Sequence, residues 1–451
     1  MIDRLLKAGI ATFSTAVCFW LFPAAAANAQ VPGGPPRTLT MEQAVQIALE
    51  RNLSVTLSQS QVQTSSARVT GAFGTFLPQI SVNAGYTKQL SDDPVVIVQG
   101  VPIPIDRPDN NYNASAGASL VLFDGFSRTA NYSSARASFD AAMQTLDRTR
   151  EDVAFQTRSA FLNALRAEQL IDVREGDLEL AEERLAQNRQ LVEAGAAQIG
   201  VVYSQEAEVA NAELALEQAR TDALVARNTL QLLLNYDPAG GVQLSSEGLA
   251  SSIDDAEIQT ARGRLGTFDD LLQRQAANRS DLRAARLRVE AASSAVTAAR
   301  AGYYPTISTS LGWYWQKAGT DDGSANTQFG LNFQFTPFDG FRTSEQVELA
   351  RAQEQSAEIE YRRLEIEARS QLQQALARLE GAERQLRAAE KAVAAARQNR
   401  YAADERYRLG AGGYADYLLA NSQYLTAQIN QVNAVFNYRL ALFEVQYQVG
   451  D

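Results

Sequence analysis

Residues 305–316 read PTISTSLGWYWQ and residues 328–338 read QFGLNFQFTPF. In the first stretch Ile307, Leu311, Trp313 and Trp315 alternate with Thr306, Ser308, Ser310 and Gly312. In the second, Phe329, Leu331, Phe333 and Phe335 alternate with Gly330, Asn332, Gln334 and Thr336. Period-two alternation is the mark of a strand with one apolar and one polar face. The polar faces hold Ser, Thr, Asn, Gln and Gly with almost no charge, whereas the apolar faces are aromatic. That is the reverse of a soluble hairpin, whose wet face is charged, and it predicts lipid on one side and water on the other. Each stretch is 11 or 12 residues long, enough for a tilted strand to cross a bilayer.

Both stretches have counterparts earlier in the chain. In 78–88, Ile80, Val82, Ala84 and Tyr86 alternate with small polar residues, and in 112–123 Ala114, Ala116, Ala118, Leu120 and Leu122 do the same. LPQIS at 77–81 matches YPTIS at 304–308 at an offset of 227 residues. FDGF at 123–126 matches FDGF at 338–341 at an offset of 215, and Gly195 matches Gly410 at 215. A duplicated unit with one longer loop, between Gln89 and Asn111, explains the change of offset. The predicted organisation is a first repeat at 39–236, an equatorial linker at 237–265 and a second repeat at 266–451.

Within each repeat the strands are flanked by helices. An apolar-periodic helix over 39–75 or 266–302 precedes them. After them the chain runs without proline over 125–194 and 340–409, and a helix of that length is about 100 Å long. Leu372, Leu376, Leu379, Ala382, Leu386, Ala389, Val393 and Ala396 recur at spacings of three and four, as a coiled-coil seam requires. Each long helix ends at a glycine turn and a further helix follows, over 201–235 and 415–447, so the chain doubles back at a narrow tip. The fold class expected is mainly α, a long coiled-coil helical barrel with a transmembrane β-barrel. Four strands cannot close on themselves, and an open edge is untenable in hydrocarbon. Two chains would give eight strands with a filled interior; three would give twelve and leave a lumen, which small polar inward residues suit.

Residues 1–29 carry Arg4 and Lys7, an uncharged stretch from Ala8 to Ala27, and Ala27-Asn28-Ala29 before Gln30, the pattern of a cleaved secretory signal. Residues 30–38 form a Pro/Gly-rich leader. The single cysteine, Cys18, lies in the signal segment, so the exported chain has neither disulfide nor thiolate. The 451 residues include no histidine, which removes Ser-His-Asp chemistry, imidazole proton transfer and the usual zinc sites. Three methionines offer no soft-metal relay, and no phosphate-binding GxxxxGK[ST] loop is present. A net charge of −11 disfavours nucleic acid. No enzyme, cofactor or metal is therefore expected. A conduit from the periplasm to the exterior fits best, the alternative being a periplasmic coiled-coil scaffold without a pore. Trp313, Trp315, Phe329 and Phe335 separate the two: lipid-facing in the first, packed against protein in the second.

The opening LTMEQAVQIALERN, the two strand-leading pentapeptides, the paired FDGF elements and YRLGAGGYADYLLANSQYLTAQ at 407–428 together resemble the TolC family of outer-membrane efflux channels over essentially the whole exported chain. The resemblance implies a homotrimer with a twelve-stranded barrel, an outer-membrane location with a periplasmic helical domain, and docking to a periplasmic adaptor and an inner-membrane pump or ABC exporter, in efflux or type I secretion. It implies that Asp416 and Tyr407 belong to a periplasmic gate. The same Asp416 also stands where an acid stabilises a helix start. Leu419, Gly412 and Val201 occupy positions where the family carries a second acid, an arginine and an aspartate. Gly195, Ala196, Ala197, Gly410, Ala411, Gly412 and Gly413 are the expected adaptor-docking tips. Tyr86, Trp313, Trp315, Phe329, Phe333 and Phe335 are the expected lipid-facing aromatics.

Overall fold

The computed structural model describes residues 38–90, 95–98, 100–104, 109–237, 241–246, 252–319 and 322–450. The signal segment 1–29 and all of the leader but Thr38 lie outside the described residues. The chain opens on β1 (Thr38–Leu39), α1 (Met41–Arg51) and α2 (Leu53–Gly74), then β2 (Gln79–Lys88), a short hairpin of β3 (Val95–Val98) and β4 (Val101–Pro104), and β5 (Asn110–Phe123). The long α3 (Ser127–Glu193) and the returning α4 (Ile199–Leu233) complete the first half. After β6 (Gln243–Leu244) and α5 (Asp255–Leu265), the order repeats as α6 (Phe268–Asn278), α7 (Ser280–Arg300), β7 (Thr306–Ala318), β8 (Ser324–Gln334), α8 (Arg342–Arg408) and α9 (Tyr414–Val449). Both α3 and α8 are 67 residues long, about 100 Å of helix.

The strands form one antiparallel sheet in the order β2-β5-β7-β8. The last stretch was expected at 328–338 but pairs over Ser324–Gln334. Pro337 has no N–H to give a ladder, while at the other end pairing begins at Gln316 opposite Ser324. The register shifts once, between Val121 and Phe123, where Leu122 is the extra residue of a bulge.

Each FDGF element turns strand into helix by the same device. Gly125 and Phe126 have φ of 65° and 71°, and Gly340 and Phe341 have φ of 72° and 69°. Asp124 accepts the Arg128 backbone N–H at 3.0 Å and Asp339 that of Thr343 at 2.9 Å, so each aspartate covers an orphan donor of the new helix. Space explains the first glycine: a Cβ on Gly125 would lie 2.8 Å from the Ala301 carbonyl.

The single helices expected over 39–75 and 266–302 are each broken. Asn52 and Arg279 stand in extended conformation at the breaks, which divide α1 from α2 and α6 from α7. The Asn52 side chain accepts the Ser54 N–H at 2.9 Å and donates to the Leu233 carbonyl at 3.0 Å, pinning the break to the end of α4. Arg279 does the equivalent for α9, donating to Gln448 Oε1 at 3.0 Å and Gln371 Oε1 at 2.7 Å. Helix periodicity alone does not register such a break, because the apolar spacing carries on past one extended residue. As an Asn cap with a buried side chain, Asn52→Ala is expected to cost about 1–2 kcal/mol, to be read by thermal unfolding.

The long helices are sandwiched at both ends. On the sheet side α3 packs against α2 and α7, with α7 between α3 and α8; beyond the breaks α3 packs against α4 and α9, and α8 against α9. Two apolar cores lie at this waist. One joins Leu39, Phe161, Leu162, Leu230 and Phe436; the other joins Ile253, Ile258, Leu271, Leu372, Leu386 and Val445. The inter-repeat segment thus contributes a helix, α5, a parallel pairing of β6 with β1 and the buried Val242, Ile253 and Ile258. No described helix is long and apolar enough to cross a membrane.

Candidate functional site

Directly opposed residues of a sheet share a face, so the register decides what each surface presents. Ile80, Val82, Ala84 and Tyr86 oppose Ala118, Ala116, Ala114 and Tyr112. Ala114, Ala116 and Ala118 in turn oppose Trp315, Trp313 and Leu311, and Ile307, Thr309 and Leu311 oppose Phe333, Leu331 and Phe329. Tyr86, Trp313, Trp315, Phe329 and Phe333 therefore line one face. Phe335 lies just beyond β8 and is exposed. Among the described residues nothing covers this face: Phe329 is 72% exposed and Val82 77%. The other face carries Ser81, Asn83, Ser115, Ser119, Ser308, Ser310, Gln328 and Asn332. Tyr314 is its aromatic exception, its ring lying over Gly312, where a Cβ would come within 2.6 Å. The scaffold reading required Trp313, Trp315, Phe329 and Phe335 to be packed against protein; Trp313, Phe329 and Phe335 are exposed and Trp315 is half-buried.

At the far end, both tips are the same turn. Gly195 N–H donates to the Val192 carbonyl and Ala196 N–H to Leu191; Gly410 N–H donates to Tyr407 and Ala411 N–H to Arg406, all within 2.8–3.0 Å. These paired bonds are a Schellman closure, which needs a left-handed residue at its centre, and Gly195 and Gly410 have φ of 71° and 72°. Gly195, Ala196, Gly410, Ala411 and Gly413 are exposed, with Ala197 and Gly412 half-buried. Any other residue at Gly195 or Gly410 is strained even though the space around each is open.

Asp416 is exposed on the first turn of α9, and its Oδ2 accepts the Gly413 N–H at 3.3 Å. Gly413 has no side chain to return the bond, so this is half of a capping box. Tyr407 is half-buried in a different setting. Its hydroxyl donates to Asn188 Oδ1 at 2.9 Å, and its ring packs at a tilt against Tyr414 at 5.5 Å and stacks with Tyr417 at 6.2 Å. Arg184, 7% exposed on α3, pairs with Asp404 on α8 and lies over the Tyr417 ring at 4.4 Å. Tyr414 donates to Gln205, whose own amide donates to the Ala181 carbonyl at 2.9 Å. Burial raises Tyr407 and Tyr414 above the usual phenol range, so both stay protonated donors.

Tyr407 and Asp416 are thus not brought together: one joins a tie between the two long helices, the other caps a helix. Arg184, Asn188, Gln205, Asp404, Tyr414 and Tyr417 were not picked out from the sequence. Their partners lie as much as 220 residues apart, and the one local signal was three tyrosines within eleven positions of a charged coiled coil. With Val201 and Gly412 unable to hold an ion pair, the tie sits nine residues above the end of α3, about 14 Å from the tip. Among the described residues no three Asp, Glu, Cys or His stand close enough to hold a metal.

Comparison with known proteins agrees with this architecture. The family model "outer membrane efflux protein" matches residues 44–236 and 271–446. Protein CyaE of Bordetella pertussis is 27% identical over 399 residues, 87% of this chain and 80% of its own. Among solved structures, the Campylobacter jejuni CmeC outer membrane channel superposes with a TM-score of 0.76 at 17% identity, over 91% of this chain and 85% of that one. The outer membrane protein VceC of Vibrio cholerae gives 0.75 at 19% identity, over 91% and 96%. The aromatic sheet, the doubled long helices and the two-part family match leave one assignment: the chain belongs to the outer membrane efflux protein family, is placed in the outer membrane with its helices in the periplasm, and serves transport rather than catalysis.

Proposed function

We propose that three copies assemble into one channel, a twelve-stranded barrel continued by a periplasmic helical tunnel, which passes substrates delivered by a periplasmic adaptor and an inner-membrane pump or ABC exporter, in efflux or type I secretion. The observation that carries this is the coincidence of open edges. Strands β2 and β8 end the sheet unpaired, and the helices leading into and out of them, α2 and α8, are the outer members of the helical layer. Both helices expose apolar side chains there, Leu53 and Leu57 on α2, Leu349, Ile359 and Ile366 on α8. One rotation that pairs β8 with a neighbour's β2 also packs α8 on that neighbour's α2, and a threefold closure leaves the polar face around water. Cleavage of residues 1–29 precedes assembly, and the two repeats, joined through 237–265, supply equivalent parts of the wall. The aromatic face meets lipid. The tips Gly195–Ala197 and Gly410–Gly413 meet the adaptor, their small residues letting another helical hairpin approach.

The native mass of the detergent-extracted protein tests the closure: three chain masses are expected, and a monomer or dimer overturns it. In this channel Asp416 forms a threefold acidic ring at the periplasmic mouth and Tyr407 helps hold the mouth narrow. Asp416→Ala is expected to weaken cation selectivity and raise conductance in a planar bilayer, and unchanged currents would remove Asp416 from the gate. Arg184→Ala is expected to open the mouth further. It removes charge-assisted bonds worth about 1.5–3 kcal/mol, a shift of roughly ten- to hundredfold in the closed-to-open ratio, seen as longer open dwell times in single-channel records.

A further inference from the structure

A cavity of about 160 Å³ lies between α3, α8 and α9, lined by Leu180, Arg184, Arg397, Arg400, Asp404 and Tyr417. Its α8 wall is one stripe, since 397, 400 and 404 fall on the same helix face. Three guanidiniums share it with a single carboxylate. Arg184 gives its terminal nitrogen to Asp404, but its buried Nε has no partner. Among the described residues Arg397 makes no ion pair or hydrogen bond, and Arg400 engages only the Tyr424 ring, at 4.6 Å. By contrast Arg351, Arg363, Arg384, Arg387 and Arg408 of α8 each sit on a glutamate three or four residues away. Arg397 and Arg400 thus bring uncompensated charge to one concavity of an acidic chain.

We infer that this cavity is a binding site for a small carboxylate anion. A carboxylate accepts two parallel bonds from a guanidinium, which makes arginine the residue suited to it. A dicarboxylate entering here meets Arg397 and Arg400 on α8, beside the Arg184–Asp404 pair that joins α3 to α8. The apolar flank from Leu180 and Tyr417 excludes water from one side of the pair and strengthens it. The inference stands on these residues and is independent of how many chains assemble.

Calorimetric titration of the detergent-solubilised protein with succinate, at fixed ionic strength and with succinamide as the neutral control, tests it. Saturable heat with succinate and none with succinamide is expected. R397Q and R400Q should each weaken binding about tenfold, the loss of one charge-assisted pair, with circular dichroism confirming that the variants are folded. R384Q, outside the cavity, should bind as the parent does. D404N carries the sharpest expectation: removing the only carboxylate in the cavity should tighten succinate binding, an effect that mere structural damage would not give. Absence of saturable heat, or equal affinity across R397Q, R400Q and D404N, would overturn the assignment.

Discussion

Phe329→Arg is expected to abolish the assembled protein in the outer membrane, whereas Gln328→Arg, one residue away, is expected to leave it intact and alter its ion selectivity. Phe329 is at the middle of β8, in a row with Leu311, Ala118 and Ile80 across the sheet. On the proposed lipid face an arginine near the midplane costs about 2–4 kcal/mol per copy, so the three copies of the proposed channel lose about 6–12 kcal/mol, comparable to the whole stability of a folded domain. The guanidinium cannot escape easily, because about five residues of strand separate it from either interface. Gln328, opposite Gly312, faces the polar side. A cation there enters water, and its field falls on whatever passes, so the expected change is a lower cation preference in bilayer recordings. Heat-resistant trimer on a gel and the surface-exposed fraction in cells measure the first effect. Equal trimer levels for the two variants would mean that the two faces of the sheet are not differently solvated, and the barrel assignment would fail.

This contrast was legible in the sequence because period-two alternation is a local property. Ile307 and Phe333 reveal their shared face without knowledge of the rest of the chain, and register only adds which residues sit side by side. The long helices were legible for a similar reason: absence of proline and a sustained seam over Leu372–Val393 leave few alternatives. Three things were not. The bulge at Leu122 changes no alternation visible beforehand, since Leu120 and Leu122 look like successive inward or outward positions. The helix breaks at Asn52 and Arg279 are decided by what those side chains reach, Leu233 in one case and Gln371 and Gln448 in the other, and these are distant in sequence. The tie near the tip is of the same kind. Arg184 reads as one more charged residue on a charged helix until Asp404 and Tyr417 are placed beside it, and only then does its burial distinguish it from Arg189, which is exposed on the same helix and pairs with Glu206.

Arg279→Ala is expected to cost about 3–5 kcal/mol, the range for removing one partner from a buried charged network. The residue is 2% exposed and all three of its side-chain nitrogens are engaged: Nε with both Asp281 oxygens at 2.8 and 3.0 Å, and the two terminal nitrogens with Gln448 and Gln371. Truncation leaves the Gln448 and Gln371 oxygens without this donor and Asp281 with only Arg148, 3.9 Å away, and it empties a site at the crossing of α6, α7, α8 and α9. Neighbouring Gln275 bonds the Ala368 and Gln448 carbonyls, so the loss spreads to the end of α9, where Gly450 already sits with φ of 85° against the Arg279 backbone. Lysine should not restore stability, because three donors on a point cannot span two glutamines and a carboxylate set around a planar fork. Arg264→Ala, exposed on α5, is expected to stay within about 0.5 kcal/mol. The first repeat solves the same problem with Asn52, a shorter and neutral side chain reaching one carbonyl, so its truncation should cost less than half as much. Denaturation of the four variants in parallel, followed by far-ultraviolet circular dichroism, orders them. If Arg279→Lys recovered the parent's stability, charge alone would be holding the break. If Asn52→Ala and Arg279→Ala cost the same, the two halves of the duplicated fold would be pinned with equal strength despite their different chemistry.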